Sequence, residues 1–138
     1  NCLRGLAIPV HTYNFGSVDS IGIVIFCAGS QRISVPHARF LIHSVSLVVN
    51  GQLTLDLAGI KEHLNGLKMD AQNVARVIAD TVGCAPEVVA GDMARRTTLG
   101  AEEAQHYGLV TRVAPGLPSS GSLYAICEDA RVFEFIEA

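Results

Sequence analysis

The chain lacks the patterns that mark membrane, secreted and nucleic-acid-binding proteins. No apolar run reaches the roughly 18 residues that a membrane-spanning helix needs, because polar or charged residues interrupt each one. The first ten residues lack the charged start and apolar stretch of a signal peptide. A net charge of −3 argues against nucleic acid as a partner. These absences predict a cytoplasmic protein that binds neither membrane nor nucleic acid.

The cysteine spacing of a zinc site is also absent. The four cysteines, Cys2, Cys27, Cys84 and Cys127, are scattered, and no two of them form a Cys-x-x-Cys pair. A zinc site is therefore not expected, and we predict neither a metal nor a cofactor. Free thiols are the expected state of these cysteines in a cytosolic protein.

The length and the apolar content indicate a folded domain. The 138 residues suit one domain with a hydrophobic core. An apolar share of 49% is high for a soluble monomer and indicates surface that is buried in an oligomer. We predict a domain over residues 1–114 and a linker with a C-terminal tail over residues 115–138. The Pro/Gly/Ser-rich stretch Pro115–Ser122 is typical of a flexible linker.

Apolar periodicity and turn residues predict alternating strands and helices. This alternation is typical of an α/β fold with a largely parallel sheet. The long helix is the clearest element, because its apolar residues step by three and four. Gly29 and Gly83 are placed to end helices. The predicted elements are a strand at Pro9–Asn14, a buried helix at Val18–Ala28, strands at Gln31–Val35 and Arg39–His43, helices at Leu53–Thr81 and Pro86–Met93, and a loop, short helix and strand within Thr97–Val113.

One serine and one histidine are candidates for nucleophilic catalysis. Ser20 is predicted in the first turn of the buried helix, where free backbone N–H groups can hold an oxyanion. A histidine placed beside it could take the hydroxyl proton, and His43 closes the second short strand. On local sequence alone, Ser20 also fits an ordinary helix cap, and the spacing does not show that the two residues meet.

The segment SIGIVIFCAGSQRISVPHARFLIH, which starts at Ser20, resembles the active-site segment of the ClpP family, the proteolytic subunit of ATP-dependent Clp protease. Serine, Ala-Gly, proline and histidine fall in the order of that family's pattern. The resemblance implies the ClpP/crotonase fold of stacked ββα units, with Ser20 as nucleophile, His43 as general base and the Ile21 N–H as an oxyanion donor. It also implies a peptide or protein substrate, a homo-oligomeric ring and an ATPase chaperone partner.

A second segment, LGAEEAQHYGLVTRV, is similar to another part of the ClpP pattern, so the resemblance covers Pro9 to Val113. The family has an acidic residue three positions before this segment, where this chain has Arg96. A guanidinium cannot accept a hydrogen bond from imidazole. Asp92, which matches another acidic position of the family, is the candidate replacement; without it, the site would work as a Ser–His dyad or be inactive.

The resemblance also implies a missing part of the oxyanion hole. The family builds half of it from a Gly-Gly strand upstream of the serine, and this chain begins too late to contain one. We therefore predict an N-terminally truncated form of the fold. By the same resemblance, Arg95 and the long helix are expected to serve contacts between rings.

Three other hypotheses stay open. Arg96 and the missing glycines favour a non-catalytic ClpP-like subunit with a role in assembly. The shared fold would allow a crotonase-type enzyme that acts on an acyl-CoA, although the serine–histidine pattern does not fit it. A Ser–Lys dyad of the signal-peptide-peptidase type is a further possibility, but neither Lys61 nor Lys68 lies in that family's motif.

Overall fold

The structure, a computed structural model, describes residues 2–49, 51 and 54–116 together with the backbone of two strands near the C-terminus. After a short 3-10 turn at Leu3–Gly5, the helices and strands follow in the order β1 (His11–Asn14), β2 (Ser17–Asp19), α1 (Ile21–Phe26), β3 (Gln31–Ser34), β4 (Arg39–Ile42), α2 (Leu57–Val82), α3 (Pro86–Arg95), β5 (Thr97–Gly100), α4 (Ala101–His106), β6 (Arg112–Val113), β7 (Tyr124–Glu128) and β8 (Arg131–Phe135).

Two small three-stranded sheets form the β structure of the domain. One has the order β1-β3-β6 and is parallel throughout. The other has the order β2-β4-β5, in which β2 and β4 are parallel but β5 runs antiparallel to β4. The predicted α/β class is confirmed. The prediction of a loop at the start of Thr97–Val113 is wrong, because all four residues of β5 pair with β4.

The helix predicted at Val18–Ala28 is shorter than predicted and only partly buried, because Ile23 and Phe26 face the core whereas Ile21 and Ile25 are exposed. Val18 and Asp19 pair with Phe40 and Leu41 as part of β2, so the helix begins only at Ile21. Strand pairing satisfies backbone groups that the first turn of a helix would leave without partners. Ser20 therefore lies at the junction of a strand and a helix, and not inside the first turn.

For the two longer helices, the predicted end of α2 and the predicted start of α3 are confirmed, whereas α2 begins later and α3 ends later than predicted. Asp56 caps α2, because its carboxylate accepts a hydrogen bond from the Gly59 N–H at 2.8 Å. Gly83 ends α2 in the left-handed conformation, with φ 77°. Pro86 opens α3, where its missing N–H costs nothing. The start of α2 lies at Leu57 rather than at the predicted Leu53, which is outside the described residues.

The hydrophobic core is formed by residues of α1 and β4 together with residues of α2, α3 and α4. Phe26 of α1 packs against Phe40 of β4 with ring centroids 5.1 Å apart. The buried cluster extends to Ile78 of α2, Val89 of α3 and Ala104 of α4. In the described part of the chain, no helix is both long and apolar enough to cross a membrane.

The C-terminal tail contains one regular element in the described backbone. Strands β7 and β8 pair antiparallel as a hairpin. Most of the predicted linker, Pro115–Ser122, lies outside the described residues.

Candidate functional site

Ser20 has a strained backbone. Its φ of 55° and ψ of −122° lie in a region that residues other than glycine rarely occupy. Such strain persists only where the surrounding structure imposes it, and it is concentrated at functional sites. Here the chain must leave β2, where the Ser20 N–H donates to the Leu41 carbonyl at 3.0 Å, and turn at once into α1. A serine on a sharp strand-to-helix turn is the geometry that exposes the hydroxyl of a nucleophile.

The Ser20 hydroxyl does not cap the helix. No side chain caps α1, although Ser20 occupies the N-cap position. Ser17 and Asp19, which compete for that role in the sequence, bond to each other at 2.9 Å, and Asp19 also pairs with Arg39 at 2.9 Å. Among the described residues, the Ser20 hydroxyl is thus committed to no structural hydrogen bond.

The Ile21 N–H is the first amide of α1. Within the described part of the chain it donates to no acceptor, as expected for the first N–H of a helix. It immediately follows the serine, so it can face an oxygen that develops negative charge at the carbon that Ser20 attacks. The role of Ile21 as an oxyanion donor stays a prediction.

Strand pairing brings the segments of Ser20 and His43 together. Parallel strands β2 and β4 are in register with Asp19 opposite Leu41. Ser20 follows the end of β2 by one residue and His43 follows the end of β4 by one residue, so both emerge at the same edge of the sheet. The carboxyl ends of neighbouring parallel strands are a usual place for catalytic side chains to converge.

The His43 ring has a defined hydrogen bond on one side. Its Nδ1 lies 2.7 Å from the carbonyl oxygen of Ser44. A carbonyl can only accept, so Nδ1 must carry the proton. The lone pair of neutral His43 is therefore on Nε2, which is the tautomer that can accept a proton from a serine hydroxyl. The half-buried ring stays accessible for that transfer.

The position opposite His43 is held by Arg96. Antiparallel pairing sets Ile42 opposite Thr97, so the residues just beyond that pair are His43 and Arg96. Arg96 ends α3 in the left-handed conformation, with φ 56° and ψ 55°, and its side chain is exposed. The structure thus agrees with the sequence motif in placing a cation where the motif has an acid, and this cation offers no acceptor to the ring.

Asp92 is not hydrogen-bonded to His43 in the described structure. Its buried carboxylate accepts from the Tyr107 hydroxyl at 2.7 Å and from the Arg95 guanidinium at 2.7 Å. The Thr97 hydroxyl lies 3.4 Å from the same carboxylate and 3.0 Å from the Asp92 carbonyl. No hydrogen bond among the described residues supports the prediction that Asp92 takes the place of the acid beside His43, since its carboxylate is bonded to Tyr107 and Arg95 instead.

Tyr107 and Ser44 take part in this arrangement although sequence reasoning gave them no role. Burial raises the pKa of Tyr107, and the hydrogen bond to Asp92 and its negative charge raise that pKa further. Tyr107 lies in the Tyr-Gly-Leu part of the second motif, and this position in the motif is the sequence feature that could have indicated its role. Ser44 acts through its main chain, so no side-chain pattern could reveal it.

A groove opens beside Ser44. It has a volume of about 330 Å³, and helices α2 and α3 supply most of its wall, including Ala71, Ala75, Pro86 and Met93. Arg76 and Glu87 give it one charge of each sign. The groove thus offers a partly apolar surface next to the segment that carries His43.

Comparison with known proteins gives consistent matches. A family model described as Clp protease matches residues 1–116. The ATP-dependent Clp protease proteolytic subunit 2 of Pseudomonas aeruginosa is 33% identical over 115 residues, which cover 82% of this chain and 55% of that protein. The ATP-dependent Clp protease proteolytic subunit of Helianthus annuus is 36% identical over 111 residues, which cover 76% of this chain and 53% of that protein. The chain spans about half the length of the curated relatives it matches.

Proposed function

Because the chain belongs to the Clp protease family, we propose that it is a serine-type peptidase subunit that hydrolyses peptide bonds in an oligomeric chamber. The observation that carries the proposal is the strained Ser20 at the strand-to-helix turn, next to the strand end that bears His43. The α/β structure, with two small sheets and packed helices, is consistent with the fold of that family.

The proposed reaction uses three groups of this chain. The Ser20 oxygen attacks the carbonyl carbon of a peptide bond while Nε2 of His43 takes the hydroxyl proton. The Ile21 N–H donates to the resulting oxyanion. His43 then gives its proton to the leaving amine as the C–N bond breaks, which leaves an acyl-Ser20 ester. A water molecule, deprotonated by His43, then attacks the ester, and as the bond to the Ser20 oxygen breaks, His43 returns the proton to that oxygen and the new carboxylate leaves.

The proposed partners follow from the relatives and from one surface. The relatives' name, ATP-dependent Clp protease proteolytic subunit, describes proteins that work with ATP hydrolysis, and we extend an ATPase chaperone partner to this chain. Exposed Leu57, Ile60 and Leu64 of α2 support association into a homo-oligomeric ring, since apolar patches of this kind mark interaction surfaces. A cytoplasmic location is part of the same proposal.

A second candidate function is a ClpP-like subunit that assembles but does not cleave. Arg96 opposite His43 favours it, because no carboxylate among the described residues is hydrogen-bonded to the imidazole. In a triad protease, loss of the orienting acid lowers turnover by about 10⁴-fold.

Labelling with a fluorophosphonate probe, read by mass spectrometry, tests the proposal. We expect label on Ser20 of the wild-type chain and none at this position in Ser20→Ala. Ser17→Ala is the matched control, because Ser17 lies three residues away and its hydroxyl donates to Asp19; it should be labelled like wild type. Peptide cleavage measured on the same samples should follow the label. An oligomer that is neither labelled nor active would favour the assembly subunit instead.

A further inference from the structure

The His43 ring is oriented by the main chain. The Nδ1–H donates to the Ser44 carbonyl at 2.7 Å, which is within the range of a short, well-formed hydrogen bond. No carboxylate among the described residues contacts this nitrogen. The Ser44 carbonyl thus occupies the position at which a triad protease has its acid.

Ser44 is itself held by the end of α3. Its N–H donates to the Met93 carbonyl at 3.1 Å. Met93 is buried, and it follows Asp92, the residue on which several hydrogen bonds converge. Ser44, whose carbonyl bonds the His43 ring, is therefore tied through its own N–H to a buried part of the core.

Asp92 and Tyr107 fix that end of the helix. Tyr107 directly follows α4, and its hydroxyl donates to Asp92 Oδ2 at 2.7 Å. The Thr97 hydroxyl donates to the Asp92 carbonyl at 3.0 Å, and Arg95 Nη2 donates to Oδ1 at 2.7 Å. An aspartate that is only 8% exposed needs such partners, since an unpaired buried carboxylate is costly. Its hydrogen bonds connect α3, β5 and the end of α4.

We propose that the main-chain carbonyl of Ser44 replaces the acid as the group that orients His43, and that Asp92 and Tyr107 are positioning residues that hold Ser44 through Met93. This inference rests on the proposed peptidase function. A carbonyl fixes the tautomer and the ring plane as an aspartate does. It carries no full charge, so it stabilises the imidazolium less than a carboxylate would. The site therefore keeps its geometry and loses part of its electrostatic stabilisation.

The tautomer of His43 gives a test that does not need activity. Two-bond ¹⁵N–¹H NMR on the full chain, at a pH where His43 is neutral, distinguishes a proton on Nδ1 from one on Nε2. The His43→Gln variant identifies the signals. We expect the Nδ1–H form to predominate. Predominance of the Nε2–H form would overturn the inference, because a ring with its proton on Nε2 cannot donate to the Ser44 carbonyl.

A backbone substitution tests the Ser44 carbonyl directly. Replacing Val45 with the corresponding α-hydroxy acid converts the Ser44–Val45 amide into an ester, whose carbonyl is a weaker acceptor. We expect kcat to fall by about three- to tenfold with KM unchanged, since one hydrogen bond to the catalytic base is weakened. The same replacement at Val48, in the same irregular segment, is the control and should leave kcat unchanged. Equal kcat for the Val45 ester and the wild type would overturn the inference.

Tyr107→Phe tests the positioning role. It removes one hydroxyl, and we expect a mixture of His43 tautomers and a lower kcat in the folded variant. A merely structural Tyr107 would lower the melting temperature but leave the tautomer as in wild type, which would contradict the positioning role. Absence of serine labelling in the wild type would contradict the proposed function, whereas the tautomer of His43 tests this inference whether or not the chain is active.

Discussion

At the scale of single residues, two backbone positions decide what the site can do. Ser20 and Arg96 are the residues other than glycine with positive φ in the described chain, and both adjoin the proposed reaction centre. Ser20 presents the hydroxyl at the turn between β2 and α1, and Arg96 follows α3 opposite His43. The side chains thus provide a candidate nucleophile, Ser20, and a candidate base, His43, but Arg96 is a cation at the position where the motif has an acid.

The strain at Ser20 predicts a stability effect that is separate from activity. Ser20→Gly and Ser20→Ala both remove the hydroxyl, but only glycine adopts φ 55° without a steric cost. We expect Ser20→Gly to be about 1 kcal/mol more stable than Ser20→Ala, measured by urea unfolding. At Ser17, inside β2, the order should reverse. A Ser20→Ala variant at least as stable as Ser20→Gly would show that the turn is not strained.

Arg96 predicts a gain of activity. Arg96→Asp would put a carboxylate opposite His43, and aspartate tolerates the left-handed conformation of this position. We expect kcat for a peptide substrate to rise at least about tenfold, because a carboxylate stabilises the imidazolium. Arg96→Asn has a similar shape without the charge and is the matched control. If both variants show the same kcat, the charge at this position does not limit the reaction.

At the scale of elements, the site depends on how α3 and α4 are joined. Tyr107, just after α4, contacts Asp92 of α3, while β5 lies between them and pairs with β4. The sequence marks each of these elements separately, but the hydrogen bonds between them depend on packing. We therefore expect the stability of the C-terminal end of α3 to depend on the protonation state of Tyr107.

The raised pKa of Tyr107 sets the direction of a pH effect. Burial and Asp92 raise this pKa above the ordinary value of 10.0. The folded state therefore keeps the tyrosine proton after the unfolded state has lost it, so the contribution is fully present below pH 10 and declines as pH rises above it. Tyr107→Phe should lower the free energy of unfolding by about 1 kcal/mol at pH 7, since Asp92 loses one donor.

Chemical unfolding at several pH values measures that effect. The difference between wild type and Tyr107→Phe should shrink above pH 10, where the wild type alone loses the contribution of this tyrosine. Tyr13→Phe is the control, because Tyr13 stacks on Phe15 and its hydroxyl makes no hydrogen bond among the described residues. A difference that stays constant up to pH 11 would mean that the hydroxyl of Tyr107 is not coupled to the fold.

At the scale of the whole molecule, α2 presents an apolar surface that the described residues leave exposed. Its C-terminal half is buried through Ala75, Ile78 and Ala79, whereas its N-terminal half leaves apolar side chains in solvent. Leu57 is 68% exposed, which is unusual for a leucine at a helical position of an apolar stripe. This distribution favours a second subunit as the covering surface.

The proposed ring therefore predicts an effect of charge on this surface. Leu64→Lys adds a cation to the exposed apolar stripe and should shift the chain to smaller assemblies in light scattering after size exclusion. Asn65→Lys adds the same charge one residue further, on a different face of α2, and should leave the assembly unchanged. Identical masses for the two variants would place the contact between subunits elsewhere.

The sequence by itself determined the family, the α/β class, and the residues Gly83 and Pro86 at helix ends, and it named Ser20 and His43 as candidates. These follow from local patterns: residue types in a fixed order, apolar periodicity, and Gly and Pro at helix ends. It also located Arg96 where the family motif has an acid, and in the structure Arg96 directly precedes Thr97, the partner of Ile42 in the β4–β5 pair. The family match over residues 1–116 confirms the resemblance.

Only the tertiary structure decided the rest. Strand pairing moved Val18 and Asp19 from helix to strand and left Ser20 strained at the turn, because a parallel neighbour satisfied the backbone of β2. Because α3 packs near the end of α4, the Asp92 carboxylate accepts a hydrogen bond from Tyr107. The His43 ring is hydrogen-bonded to the carbonyl of Ser44. Such contacts join residues that are far apart in sequence or act through the main chain, so no local pattern encodes them.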